Sequence, residues 1–127
     1  MRVSAHIVVP DAIAASDWYS RAFGAVERSR TELPGGVMTA VLGFGDDDIH
    51  IASEMPDWGV LSPLTIGGTA TVLQLDVADA DQLWNKALAA GAEVRHELAD
   101  QSWGQRHGQL TDPFGHRWNV AQPLAAT

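Results

Sequence analysis

A chain of 127 residues with 46% hydrophobic content has single-domain length and enough apolar residues for one ordinary core. It contains no cysteine, which excludes disulfides and thiolate chemistry and fits an expected cytoplasmic location. Sixteen acidic side chains against eight basic ones give a net charge of -8, and with Lys86 as the single lysine there is no cationic patch for nucleic acid; nor is there a signal peptide or apolar run for a membrane.

In chain order, Val3 to Val9 is short, β-branched and stopped by Pro10, which predicts a buried strand. Asp11 stands at an N-cap position. Ala15, Trp18, Tyr19, Ala22 and Phe23 then follow at the spacing of one helix face, and Gly24 ends the helix. Val26 to Glu32, Met38 to Phe44 and Ile49 to Ser53 read as strands, with turns at Leu33 to Gly36 and Gly43 to Asp48. The acidic run Asp46-Asp47-Asp48 falls in the second turn and reads as solvated. A connector rich in proline and glycine runs from Met55 to Gly68. Thr69 to Val77 is the next strand, and Asp79 caps a helix with the stripe Ala80, Leu83, Trp84, Ala87 and Leu88, stopped by Gly91. Glu93 to Leu98, Gln109 to Thr111 and Arg117 to Ala121 complete the strands.

The order β-α-β-β-β therefore occurs twice, and the residues repeat with it. Asp79 stands 68 residues after Asp11, and Gly91 stands 67 after Gly24. Gly43-Phe44-Gly45-Asp46 before Ile49-His50-Ile51 parallels Asp112-Pro113-Phe114-Gly115 before Trp118-Asn119-Val120, at an offset of 69. The predicted fold class is α+β: two βαβββ modules, about 3–54 and 69–123, joined by a connector at about 55–68. Together they form a curved mixed sheet around a groove with helices outside. Each half is too small to bury a core alone, so the expectation is that the two pack together as one domain.

His6 and Gln74 stand at matching places on the first strand of each half, and period-two alternation puts them on the same face as Ser4 and Val72. Trp18, Trp84 and Trp118 fall on core positions. Trp58 and Trp103 stand in loops, where stacking on a planar ligand or anchoring of the loop accounts for them. Arg106 holds its loop by hydrogen bonds to carbonyls, pairs with Asp100, or grips an anionic ligand group. Glu54 and Asp57 flank the connector. His50 reads as a pocket residue or an edge-strand histidine near a turn. His107 and His116 are expected at the surface, and His96 has no partner spacing. A phosphate-cradling glycine loop and a nucleophile elbow are both absent.

The runs Asp17-Trp18-Tyr19-Ser20-Arg21-Ala22-Phe23-Gly24-Ala25 and Ala89-Ala90-Gly91-Ala92, with Trp103-Gly104-Gln105-Arg106-His107-Gly108 leading into Asp112-Pro113-Phe114-Gly115-His116, resemble the vicinal oxygen chelate superfamily from Val3 to Pro123. That superfamily includes glyoxalase I, extradiol dioxygenases, fosfomycin-resistance enzymes and bleomycin-binding proteins. Asp100-Gln101-x-Trp103-Gly104-x-Arg106 is similar to its glyoxalase-like and bleomycin-resistance-like branch. The resemblance implies paired βαβββ modules and a homodimer, and in many relatives a pocket built across the dimer interface. It also implies four positions for divalent-metal ligands. On this chain they fall at Ser4, Val72, His50 and Asn119, of which only His50 is a good ligand type.

The expected function is therefore a metal-free, cofactor-free protein that binds and sequesters an aromatic or cationic small molecule, as in antibiotic resistance. Its expected ligand-binding residues are His6, His50, Gln74, Trp103, Asn119, Trp58 and Arg106. The alternative is a metal-dependent glyoxalase- or dioxygenase-type enzyme with a displaced set of His6, His50, Gln74 and Glu54. A third reading is a metal-free enzyme with His50 or His6 as general base.

Overall fold

The computed structural model describes residues 1–125 and divides into two compact units, Met1–Gly68 and the chain from Thr69 onward. The first unit runs β1 (His6–Val9), α1 (Ala12–Phe23), β2 (Val26–Glu32), β3 (Met38–Phe44), β4 (Asp47–Ser53) and a single-turn helix α2 (Pro63–Ile66). The second runs β5 (Val72–Asp76), α3 (Ala80–Ala89), β6 (Glu93–Asp100), β7 (Gln105–Thr111) and β8 (Arg117–Pro123). Each unit holds one four-stranded mixed sheet, ordered β1-β4-β3-β2 in the first and β5-β8-β7-β6 in the second. The first and last strands of a unit pair in parallel, and its other strands pair antiparallel. These are two βαβββ modules of an α+β fold, as the repeat predicts.

Both helices start in the same way. Asp11 Oδ1 accepts from the backbone N–H of Ile13 (2.9 Å) and Ala14 (3.4 Å), and Asp79 Oδ1 accepts from Gln82 (3.1 Å). A second anchor comes from the last strand of the same module. Ser53 Oγ accepts from the N–H of Ala12 (3.0 Å) and of Met38 (3.2 Å), and Gln122 Oε1 accepts from Ala80 (2.8 Å). Ser53 and Gln122 occupy matching places in the repeat, so each helix is tied to the sheet it covers. Helix α1 ends at Gly24, which takes φ +73 as the left-handed cap.

The helix side of each sheet is the core. Ile7, Val9, Met38, Leu42 and Ile51 are buried beneath Ala15, Trp18, Tyr19 and Ala22 of α1. Trp18 meets Tyr19 and Phe23 edge to face, at 5.4 and 5.2 Å between ring centres. In the second unit Leu110, Trp118 and Val120 are buried with Trp84 and Ala87 of α3.

Several boundaries differ from those predicted. β1 begins at His6, not Val3, and β5 spans Val72–Asp76, not Thr69–Val77. β7 begins at Gln105, not Gln109, because Arg106 and His107 continue the pairing with Gln122 and Ala121 of β8. Arg106 and His107 are thus strand residues. Asp47 and Asp48 lie on β4, where Asp48 Oδ1 accepts from Arg28 Nε at 2.7 Å, so only Asp46 of the acidic run stays in the turn. His116 is buried at 8% exposure, contrary to its expected place at the surface. It closes the β7–β8 hairpin, where buried Asp112 accepts from the N–H of Phe114 (2.9 Å) and His116 (3.0 Å) and from Trp118 Nε1 (2.8 Å).

Gly108 of β7 lies directly under the Trp84 ring. A Cβ there would stand 2.7 Å from two ring atoms and 2.9 Å from the Leu98 Cα. Gly108→Ala is expected to cost about 1–3 kcal/mol through overpacking. A urea unfolding midpoint equal to that of the parent protein would contradict this packing.

Candidate functional site

Side chains on the face away from the helices stand in register across each sheet. In the first unit His6 pairs with His50, His50 with Val41 and Val41 with Ser29. In the second, Gln74 pairs with Asn119, Asn119 with Gln109 and Gln109 with His96. The two rows match position for position, so the repeat extends to the register of individual side chains. His50 lies on β4, between β1 and β3, and is not on an edge strand.

The first row opens into a cavity of about 290 Å³ lined by His6, Ser29, Thr31, Thr39, Val41 and His50, with Ala40 and Ile51 completing the wall. The His6 and His50 rings are stacked, 6.2 Å apart at 25°. Both histidines are exposed. The three hydroxyls were not foreseen from the sequence. Thr31 and Thr39 face each other across the β2–β3 hairpin, which alternation could have indicated, but a register shift between Glu27 and Ser29 hides the phase of β2.

The second row is tied up within itself. Gln109 Nε2 donates to Asn119 Oδ1 at 2.9 Å, and Gln74 Nε2 donates to Asp76 Oδ1 at 3.0 Å. At one end of this face His107 meets Trp103 edge to face at 5.7 Å. Trp103 Nε1 donates to Gln105 Oε1 at 3.1 Å, which fixes a ring that remains 62% exposed. Trp58 is 84% exposed, so its ring does not anchor the connector.

Arg106 sits on the other face. Its Nε and Nη2 donate to Asp81 at 3.0 and 2.9 Å at the start of α3, and its Nη1 donates to Asp100 at 3.1 Å. The guanidinium holds the Asp81 carboxyl below its ordinary value. Arg106 is thus separated from Gln74, Gln109 and Asn119 by the thickness of its sheet, and its donors are turned to protein carboxylates. The sequence reading that paired it with Asp100 agrees with this geometry.

A second cavity, about 430 Å³, lies between α1 and β2. Its charges are matched internally: Glu27 accepts from Arg30 Nε (2.7 Å), Arg30 Nη2 (3.0 Å) and Ser16 Oγ (2.6 Å). Those bonds, from Arg30 first and then Ser16, hold the Glu27 carboxyl below its ordinary value.

Glu54 is likewise committed. Its carboxylate accepts from the Ser62 N–H at 2.7 Å and from Thr65 Oγ1, so it braces the start of α2. Asp57 is exposed in the turn Pro56–Trp58. Among the described residues, no group of three or more His, Cys, Asp or Glu side chains is placed to hold a metal ion. The donor chemistry agrees at the four positions the resemblance marks for ligands. Val72 offers no donor atom, Asn119 Oδ1 already accepts a hydrogen bond, and Ser4 is a neutral hydroxyl, leaving His50 with His6 beside it. The residues present do not fit a divalent-metal centre of that pattern.

Comparison with known proteins adds the lineage. The family model described as Glyoxalase/Bleomycin resistance protein/Dioxygenase superfamily matches residues 3–120. An uncharacterized protein of Mycobacterium tuberculosis (strain H37Rv) is 39% identical over 126 residues, covering 96% of this chain and 74% of its own. Among solved structures, TioX from Micromonospora sp. ML1 is 25% identical with a TM-score of 0.74, covering 100% of this chain and 99% of that one. A glyoxalase family protein from Bacillus cereus shares the fold at a TM-score of 0.79 and 17% identity, covering 98% and 94%.

Hydrogen bonds from Ser62 and Thr65 hold the Glu54 carboxyl below its ordinary value of 4.5. A depressed carboxyl contributes stability that is complete above the unfolded value and is lost as pH falls through the folded one. Glu54→Gln should therefore melt less acid-dependently than the parent between about pH 5 and pH 3. Parallel melting curves across that range would show that these bonds contribute nothing.

Proposed function

Since the chain belongs to the glyoxalase/bleomycin resistance protein/dioxygenase superfamily, we propose that it is a small-molecule-binding member that sequesters an aromatic compound without a metal. The observation that carries this reading is the cavity on the first sheet. Neutral hydroxyls and two imidazoles converge there beside Val41, and convergent polar groups of this kind fix a ligand's orientation. The fixed, exposed Trp103 ring supplies a stacking surface on the polar face of the second sheet. The cationic ligand expected from the net charge is less well supported, because no carboxylate lines the cavity. We place the working protein in the cytoplasm as a homodimer, the assembly implied by its resemblance to dimeric relatives.

A second reading, a metal-dependent enzyme of glyoxalase or dioxygenase type, is favoured by one observation, the stacking of His6 on His50. Elemental analysis and thermal shift with Zn²⁺, Ni²⁺, Mn²⁺ and Fe²⁺ separate the two. A tightly held stoichiometric metal, lost in His50→Ala, would overturn the metal-free reading.

Trp18, Trp84 and Trp118 are buried, so quenching by added ligands reports chiefly on Trp58 and Trp103. Titration with a panel of aromatic antibiotics should quench fluorescence, and where the ligand stacks on the second sheet's polar face Trp103→Ala should remove most of the change and weaken binding roughly 3- to 10-fold. Unaltered quenching and affinity in that variant would exclude Trp103 as a ligand-stacking residue.

A further inference from the structure

We propose that the first-sheet cavity is an oxyanion cradle: it takes the carboxylate or phenolate end of an aromatic ligand between His6 and His50, with Thr31 and Thr39 as supporting donors. The inference rests on the small-molecule reading and names the chemistry of the ligand's polar end. It starts from what the cavity lacks. In a chain of net charge -8, the eight residues lining this cavity include no Asp, Glu, Lys or Arg. Its polar groups are two imidazoles and the hydroxyls of Ser29, Thr31 and Thr39. A cation would meet no counter-charge there. An oxyanion would meet hydroxyl and imidazole N–H donors, and a hydrogen bond to an ionised acceptor is the stronger kind.

The geometry suits this role. His6 and His50 are directly paired across β1 and β4, their ring centroids are 6.2 Å apart, and both line the cavity. Val41, paired with His50, supplies an apolar surface for a ring. About 290 Å³ is close to the lower end of ordinary ligand pockets, roughly 300 Å³, which suits a compact ligand with one ring. The charged groups closest along these strands are already engaged. Asp48, two residues before His50, binds Arg28 at 2.7 Å and Arg2 at 3.7 Å, and Glu54, four residues beyond His50, braces the start of α2. The imidazoles are therefore the groups left to answer an incoming negative charge.

The test measures benzoate, benzamide and benzamidine by isothermal titration calorimetry on the full chain. Binding sites are mapped by amide and imidazole NMR shifts. Benzoate is expected to bind at His6, His50 and Ser29, about tenfold more tightly than benzamide. His6→Gln and His50→Gln should each weaken it severalfold, and Thr31→Val should weaken it less. Both histidines are exposed, so unchanged circular-dichroism melts will show that the variants fold. Benzamidine binding as well as benzoate at this face, or benzoate binding unaltered in both histidine variants, would overturn the cradle. Benzamide and benzoate binding equally would also overturn it while leaving the small-molecule reading intact. Failure of all three probes in the millimolar range defeats the cradle, and the larger aromatic panel then decides the broader reading separately.

Discussion

The parallel pairing between the first and last strand of each module is the constraint on which the rest depends. A parallel pair needs a long crossover, and here the crossover is a helix followed by two strands, so closing β1 on β4 or β5 on β8 fixes where every intervening element lies. The helix start is pinned to the same pair. Ser53 and Gln122, at the ends of β4 and β8, accept the first helical N–H at Ala12 and Ala80. One strand pair therefore sets the sheet order, the docking of the helix and the row of side chains on the opposite face.

That row shows how a duplicated scaffold separates into different chemistries without changing its backbone. At matching positions the first module carries His6 and His50, and the second carries Gln74 and Asn119. The amides find partners within their own sheet, Asp76 and Gln109, and are held by them. The imidazoles stack on each other and line the cavity. The architecture therefore supplies two equivalent rows, but the side chains leave an open polar cavity on the first sheet and a self-satisfied polar face on the second.

Much of the fold was legible in the sequence because its signals are local and doubled. Helix stripes, N-cap aspartates and the glycines after each helix are short-range features, and each appears in both halves. Strand extents were less legible. Nothing in Gln105-Arg106-His107-Gly108 alternates in hydropathy, since Arg106 faces the helix side only by pairing with Asp81 and Asp100. Gly108 is there because Trp84 occupies the space of a side chain. The burial of His116 depends on the Asp112 hairpin bonds, which bring together residues the sequence alone leaves as a polar turn. Of the candidate site, His6 and His50 were named from their strand positions. Ser29, Thr31 and Thr39 were missed, because a bulge shifts β2 and small hydroxyls carry no spacing signal of their own.

Net charge and local chemistry point in opposite directions here, and distance decides between them. The surplus of carboxylates acts over a range that salt shortens to about 8–10 Å, so it shapes encounter more than recognition. Within that surplus, Glu27, Asp48, Asp81 and Glu54 are spent on Arg30, Arg28, Arg106 and the start of α2. They stabilise edges and helix starts and do not line the cavity. Recognition at contact distance falls to neutral hydroxyls and imidazoles, which discriminate by hydrogen-bond geometry. A ligand that carries a negative group must approach against the overall field, so this site is expected to trade association rate for selectivity at contact.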